Sequence, residues 1–506
     1  MITTLHKTDL SPDYNPSKST LFNGLQPVKN IHLCWVTTNQ NSMPPLPPTP
    51  TSSGNPGSNR PPGSSGASPS AGTPPLLDIL AAQNPWWSGR DFSMQAGICR
   101  DRYFKKIRAY YDSGEIVVIN GVRRSGKTTL FMQMIQDLIN ERGADPRSIL
   151  FVNCDEPAIA QLANPLEMVL DTYRKEVYSR EGATLVFDEI QTIEGWERWI
   201  KAVYDRKQFR LAISGSSSYL LDSKVSQLIS GRYLSLHVYP LDFSEYLLFH
   251  KIDGIADPVT LASRKYEVLE LFHRYLYEGG FPQTALREDE LVREDQLRAY
   301  YDSIVYRDII RENDVRNHRA LGDLLAYLMA NITSPYSYRK LVDLLGIDPE
   351  TIKEYIRYAE MAQILFEVQF FSYSLNVQAR NNKKIYCIDN GLRNAVSFSF
   401  SKDTGRCAEN LVYIELRRRG YTPYYWKKNG EVDFVLKMRD TSVMAINVTY
   451  TDQIHQRETD ALREFAEEFG SKVSRCLLLT KDTQGTDGMI ESIPLWRWLL
   501  EVDGYQ

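Results

Sequence analysis

Residues 121–128 read Gly-Val-Arg-Arg-Ser-Gly-Lys-Thr, the spacing GxxxxGK[ST]. These are the residue types that a bound phosphate needs. Glycines let backbone N–H groups curl around phosphate oxygens, and the N-terminus of a following helix adds the positive end of its dipole. The pattern predicts a cradle for ATP made by Gly121, Arg123, Ser125, Gly126, Lys127, Thr128 and Thr129. Lys127 is expected on the β- and γ-phosphates and the Thr128 hydroxyl on Mg2+. Some 60 residues further on, Asp188 and Glu189 close an apolar run. An acidic pair there predicts Asp188 holding Mg2+ through water and Glu189 acting as general base on the attacking water. Two carboxylates argue for hydrolysis as well as binding. Ser214 and Ser216 are candidates for a polar group that senses the γ-phosphate. Arg232 is a candidate catalytic arginine, sensing nucleotide or reaching across a subunit interface. The plainer readings are a serine-rich turn and a surface arginine.

These side chains need a scaffold. Residues 115–120, Glu-Ile-Val-Val-Ile-Asn, read as a buried strand entering the loop. After the loop, Leu130, Met134 and Leu138 recur at every fourth position, as do Phe131, Ile135 and Ile139, so a helix follows. Strand, glycine-rich loop and helix are the context the phosphate motif requires. The stretch ATLVFDEIQ predicts a strand delivering Asp188, FRLAISGSSSYLL one delivering the serines, and a fifth strand follows Arg232.

GVRRSGKTTL, VFDEIQ, ISGSSS, SGRY, YPLDFSEYL and YEGGFPQ stand in the order, and with roughly the spacing, of a prokaryotic AAA-like ATPase family common in archaea. The chain resembles that family over about residues 85–450. The resemblance implies an α/β P-loop NTPase core, AAA-like, with strand order 5-1-4-3-2. It also implies a helical and winged-helix region and a C-terminal α/β domain of endonuclease-like fold. Arg123 matches a position this family usually fills with arginine, suiting contact with phosphate or the neighbouring Asp strand. Arg124 stands at a variable position and reads as solvated.

The residues downstream divide by pattern. Residues 76–255 are assigned to the ATPase domain and 256–318 to a helical region. There Gly279-Gly280 reads as a helix C-cap, with a hinge as the alternative. Residues 319–390 suggest a winged helix whose third helix, after Asp348-Pro349, carries Lys353, Glu354, Arg357 and Glu360 on its polar face. Two glutamates and no basic stripe there speak against DNA contact. Residues 391–506 read as a restriction-endonuclease-like domain with Glu409 and Glu415 on the inner side of a helix and Asp433 on a hairpin. Where that chemistry needs Glu-x-Lys, the chain has Asn447-Val448-Thr449, which is a poor metal ligand set and lacks the lysine charge. The expectation is an inactive domain. Arg417, Arg418, Arg419, Lys427 and Lys428 beside Tyr424, Tyr425 and Trp426 suit a single-stranded nucleic acid, but read more simply as a solvated helix end and a packed hairpin.

Length sets the outer bounds: 506 residues suffice for about three domains. A net charge of −4 excludes a chain-wide basic footprint, so nucleic-acid binding must be local. Six scattered cysteines without a CxxC pair suggest neither zinc site nor disulfide framework and fit a reducing, cytoplasmic setting. No apolar run is long enough to span a membrane. Eleven of the 25 prolines lie in residues 43–75, so residues 1–75 are expected to be a disordered extension, spacer or docking segment. The function these readings support is ATP binding and Mg2+-dependent hydrolysis coupled to the downstream regions. The rivals are a nucleic-acid motor or remodeller, a nucleotide-dependent switch for a protein partner and, least favoured, an ATP-regulated nuclease. Oligomeric state is left open.

Overall fold

A computed structural model describes residues 75–215, 231–397, 403–451 and 453–501. The proline-rich residues 1–74 and the candidate sensor Ser216 lie outside these described residues.

Strand β1 (Ile116–Gly121) is buried along its whole length, as its β-branched run suits a strand covered on both faces. Strands β2 (Ile149–Asn153), β3 (Ala183–Asp188), β4 (Phe209–Gly215) and β5 (Tyr233–Val238) join it in one sheet, ordered β2-β3-β4-β1-β5. Every neighbouring pair is parallel. This is the order 5-1-4-3-2 that the family resemblance implied. Apolar clusters cover both faces, one around Ile116, Val118, Leu185 and Ile213, the other around Val117, Ile119, Val186 and Leu236.

The residues before the sheet cover its outer edge. Asn84 exchanges hydrogen bonds with the backbone of Phe151 at 2.7 and 2.8 Å, and Trp86 donates to the Ile149 carbonyl at 3.1 Å. This occupies polar groups along β2 that would otherwise form an exposed strand edge.

Beyond the sheet, helices Lys265–Glu278 and Glu290–Ser303 lead into a π-helical stretch, Ile304–Arg311. Helices His318–Ala330, Tyr338–Leu345 and Pro349–Met361 follow, with a small antiparallel sheet of β6 (Pro335–Tyr336), β8 (Lys383–Cys387) and β7 (Leu365–Val368) in that order. The third helix starts at Pro349, capped by Asp348, where the sequence predicted it. Glu360 is not on the solvent face: it accepts from the Glu367 N–H at 2.9 Å.

The C-terminal sheet has six strands: β9 (Tyr424–Lys427), β10 (Glu431–Lys437), β11 (Val443–Thr449), β12 (Val473–Thr480), β13 (Gly485–Asp487) and β14 (Ile490–Pro494). Their order is β13-β14-β12-β11-β10-β9, with helix Thr404–Arg418 packed on β11. A short helix, Leu495–Leu500, follows once Ile490–Pro494 has paired with β12. One apolar cluster runs from Tyr239 through helices 265–361 to Leu499, so the regions after the parallel sheet share a core.

Candidate functional site

Parallel pairing brings the ends of β1, β3 and β4 to one edge: Ile119 lies opposite Ser214, and Phe187 opposite Ile213. Ligands of open α/β sheets bind outside the carboxyl ends of the strands. The loop after β1 sits there. Gly121 has φ 153°, and a Cβ on it would collide with the Val238 carbonyl. Gly126 (φ 100°) starts the helix Lys127–Asn140, whose apolar stripe Leu130, Met134 and Leu138 is buried.

Thr128, Asp188, Glu189, Lys127 and Ser214 converge. The Thr128 hydroxyl donates to Asp188 Oδ2 at 2.6 Å, and the Ser214 hydroxyl donates to Asp188 Oδ1. The Glu189 N–H donates back to Ser214 Oγ at 3.2 Å. Lys127 Nζ lies 3.7 Å from Glu189 Oε1 and donates to the carbonyls of Gly121 and Val122 at 3.1 and 3.3 Å. Burial and the neighbouring Glu189 push the Asp188 carboxyl up, while its two hydroxyl donors oppose them. Glu189 holds a left-handed conformation, φ 54°, of the kind that gathers at functional sites. Ser125 is fully buried, and its hydroxyl has no hydrogen-bond partner among the described residues. Thr129 turns its methyl toward Gly97.

Arg232 does not join this cluster, which corrects its reading as a sensor of nucleotide bound in its own chain. It precedes β5, and its carbonyl accepts from the N–H of Ile116, the first residue of β1. It therefore sits at the opposite edge of the sheet, about 17 Å of strand away from the loop. Its side chain pairs with Asp205 at 3.3 Å. The same parallel register that assembles the site removes Arg232 from it.

The two loop arginines also have partners that sequence order does not suggest. Arg123 binds Asp308 through two hydrogen bonds, at 2.9 and 3.3 Å. Arg124, read as solvated, stacks its guanidinium 5.4 Å from the centre of the Tyr300 ring. Arg100 was missed altogether. Fully enclosed, it donates to Glu245 at 2.7 and 2.9 Å, to the Ser125 carbonyl at 2.8 Å and to the Tyr239 carbonyl at 3.0 Å. Glu245 also closes a capping box with Asp242, so the DFSE motif braces the loop from beneath. The Asp-x-x-Glu spacing was the available signal.

Beside the C-terminal sheet, two of the expected carboxylates, Glu409 and Asp433, gather with Glu431 around a lysine. Lys384 of β8 has no solvent exposure and lies 2.7 Å from Glu431, 3.0 Å from Glu409 and 3.6 Å from Asp433. Burial opposes its charge, but the three carboxylates hold its pKa above the ordinary lysine value. Asn447 accepts from the Asp433 N–H at 3.0 Å and donates to the carbonyls of Glu431 and Glu458. Glu415 is not part of this cluster; it accepts from Arg418 and Arg419 on another side of the helix.

The reading of the arginine run as a solvated helix end is also corrected. Arg418 donates to the Pro240 carbonyl at 3.2 Å, and Arg419 to the Trp498 carbonyl at 2.9 Å, both buried. Lys427 and Lys428 pair with Glu431 and Glu468.

Residues 113–247 match the family model described as an AAA domain. Residues 269–403 and 404–498 match two models, each described as a domain of unknown function. An archaeal relative from Methanocaldococcus jannaschii, "Uncharacterized protein MJ1544", is 30% identical over 76% of this chain and 88% of its own. An "Uncharacterized protein" of Haemophilus influenzae is 28% identical over 80% of this chain and its whole length. Among solved structures, the Walker-type ATPase PABY2304 of Pyrococcus abyssi is 15% identical over 59% of this chain and 95% of that one, with a TM-score of 0.36. The Aeropyrum pernix ORC1 protein in complex with DNA is 14% identical over 62% and 96%, with a TM-score of 0.29. With the AAA-domain model seated on the parallel sheet, and a relative matched across most of its length, this chain belongs to the AAA-like family of P-loop ATPases.

Proposed function

We propose that this protein binds ATP with Mg2+ at the edge of the parallel sheet and hydrolyses it, driving rearrangement of the regions that follow. The observation that carries the reading is the meeting of Thr128 with Asp188 at 2.6 Å beside Lys127 and Glu189 at 3.7 Å. The donor set suits a magnesium-bound polyphosphate. Gly121 lets the loop pack against the Val238 carbonyl, the Ser125 hydroxyl is buried without a partner among the described residues, and Lys127 brings an ammonium into the loop. Lys127 and the loop N–H groups bind the phosphate oxygens. Thr128 and Asp188 hold Mg2+, which neutralises phosphate charge when bound. Glu189 orients the attacking water and accepts its proton. Ser214 holds Asp188 and the backbone of Glu189 in register, so we read it as a positioning group for the acidic pair.

The division into 76–255, 256–318, 319–390 and 391–506 is kept as a functional one, with a winged helix in the third part and a nuclease-like fold without activity in the fourth. Lys384 supports that last reading, since an ammonium already serves the carboxylates a metal would need. Burial of Arg418 and Arg419 favours a nucleotide-dependent switch for a protein partner over a nucleic-acid motor. Among the described residues no helix is long and apolar enough to cross a membrane.

Hydrolysis and nucleotide binding, measured with and without single- and double-stranded DNA and RNA, test these readings together. Lys127→Ala is expected to lower hydrolysis by about 10²-fold or more. Glu189→Gln keeps binding and loses about 10²–10⁴-fold in rate. Wild-type hydrolysis by Lys127→Ala refutes the site. Stimulation by nucleic acid restores the motor, and Mg2+-dependent cutting lost in Asp433→Ala restores the nuclease.

A further inference from the structure

The helix Glu290–Ser303 continues into the π-helical stretch Ile304–Arg311, a geometry that is rare and often found at functional sites. Here it has a definable consequence. Tyr300 and Asp308 are eight residues apart, which on a straight α-helix sets them about 80° out of phase. The wider π turn brings them back toward one side, and both meet the phosphate-binding loop. Tyr300 lies under the Arg124 guanidinium, and Asp308 takes Arg123 in a two-point ion pair. Arg307 reaches the loop after β2 and pairs with Asp155 at 2.8 Å. That loop abuts the acidic strand, since the Cys154 N–H donates to the Asp188 carbonyl at 2.9 Å. One helical segment therefore grips both loops beside the candidate site.

The charges in this grip are unevenly placed. Asp308 is 1% exposed. Arg123 belongs to the phosphate-binding loop and gives its guanidinium to Asp308, so a buried carboxylate already occupies the cation that the loop would offer.

We propose that Arg123 is a shared cation, for which Asp308 and the phosphates of a bound nucleotide compete, so that nucleotide binding loosens residues 300–312 from the loop. This rests on the nucleotide reading above. A polyanion on the loop draws the guanidinium and repels the Asp308 carboxylate in a poorly solvated place, where such forces are strong. The segment relieves the repulsion by moving Asp308 toward water. Coupling between two sites is reciprocal. The Asp308 contact that holds the segment closed must therefore weaken nucleotide binding.

The test uses the full chain, hydrogen exchange read by mass spectrometry, and anisotropy of a fluorescent, non-hydrolysable ATP analogue with Mg2+. In the wild type, the saturating analogue is expected to speed exchange across 300–312 by about threefold or more. Asp308→Asn is expected to bind the analogue about fivefold tighter or more. Its 300–312 peptides should exchange fast with or without the analogue. Binding to the wild type with unchanged or slower exchange across 300–312 overturns the proposal. So does an Asp308→Asn protein that folds and binds no tighter. Should that variant fail to fold, the wild-type exchange measurement still decides. Failure of the analogue to bind the wild type at all refutes the nucleotide reading, and this inference with it.

Discussion

Asp188 and Glu189 are neighbours in the chain but live in different surroundings. Asp188 is enclosed and takes two hydroxyl donors, whereas Glu189 leaves the strand in a left-handed turn and faces Lys127. Ser214 ties the two together, so its loss acts on both. Ser214→Ala leaves a buried carboxylate oxygen without one donor and the Glu189 N–H without its acceptor, at about 1–3 kcal/mol. Hydrolysis should fall more than nucleotide affinity, because the acidic pair is displaced while the phosphate loop is intact; separate rate and binding assays check this. Lys384 is the other residue whose meaning depends on its surroundings. Lys384→Met strands three carboxylates around an uncharged side chain and should cost about 3–5 kcal/mol in a urea melt. Nothing in the stretch NNKKIYC marks the second of its two lysines as the buried one, because the carboxylates around it come from residues 409, 431 and 433.

At the scale of elements, the Gly279-Gly280 pair shows a local motif with a distant cause. The helix Lys265–Glu278 does end at Gly279, φ 77°, as a C-cap reading predicts. The reason glycine is required lies elsewhere: a Cβ on Gly279 would enter the Asp389 carboxylate, and one on Gly280 the Leu241 backbone. Gly280 donates to Asp389 at 2.6 Å and accepts from the Leu241 N–H at 2.7 Å, joining three segments far apart in sequence. Gly279→Ala should therefore cost more than the ~1 kcal/mol of a mere helix-end glycine, read as a lowered unfolding midpoint. Burial pushes the Asp389 carboxyl up from 3.8 to about 6, against the N–H donors of Gly280 and Leu392. Its folded value exceeds its unfolded one. Its contribution to stability is thus complete below about pH 4 and is lost as pH rises through about 6. Asp389→Asn should lie below the wild type in thermal melts, since its amide turns a donor toward Gly280, and should lack this loss between pH 4 and 6.

At the scale of the whole molecule, the run Arg417–Arg419 attaches the C-terminal sheet to the ATPase sheet. Arg418 bonds the Pro240 and Leu241 carbonyls just beyond β5, and Arg100 bonds Tyr239 from the other side while holding the phosphate loop. The loop is thereby connected through a few polar contacts to the last helix, where Arg419 meets Trp498. Removing Arg418 leaves Glu415 and two carbonyls buried with fewer donors. Arg418→Met should shift the melting of the chain to lower temperature by calorimetry, with a penalty of about 3 kcal/mol or more. Of the site, the chain order alone located the loop, the acidic pair and Ser214, since each stands at the end of a strand with its own apolar signature. It did not show that Arg232 stands apart from the loop of its own chain, because only the parallel register shows which end of β5 faces the loop.

The sequence by itself determined the phosphate-loop motif, and the family resemblance implied the strand order of the ATPase sheet. The motif is a local property of eight consecutive residues and the strand before them, and family order supplies the topology. Only the tertiary structure decided which charges meet. Arg123 with Asp308, Arg100 with Glu245 and Lys384 with Glu409 lie 185, 145 and 25 residues apart. A buried charge requires a partner, but that requirement sets no sequence distance at which the partner must stand.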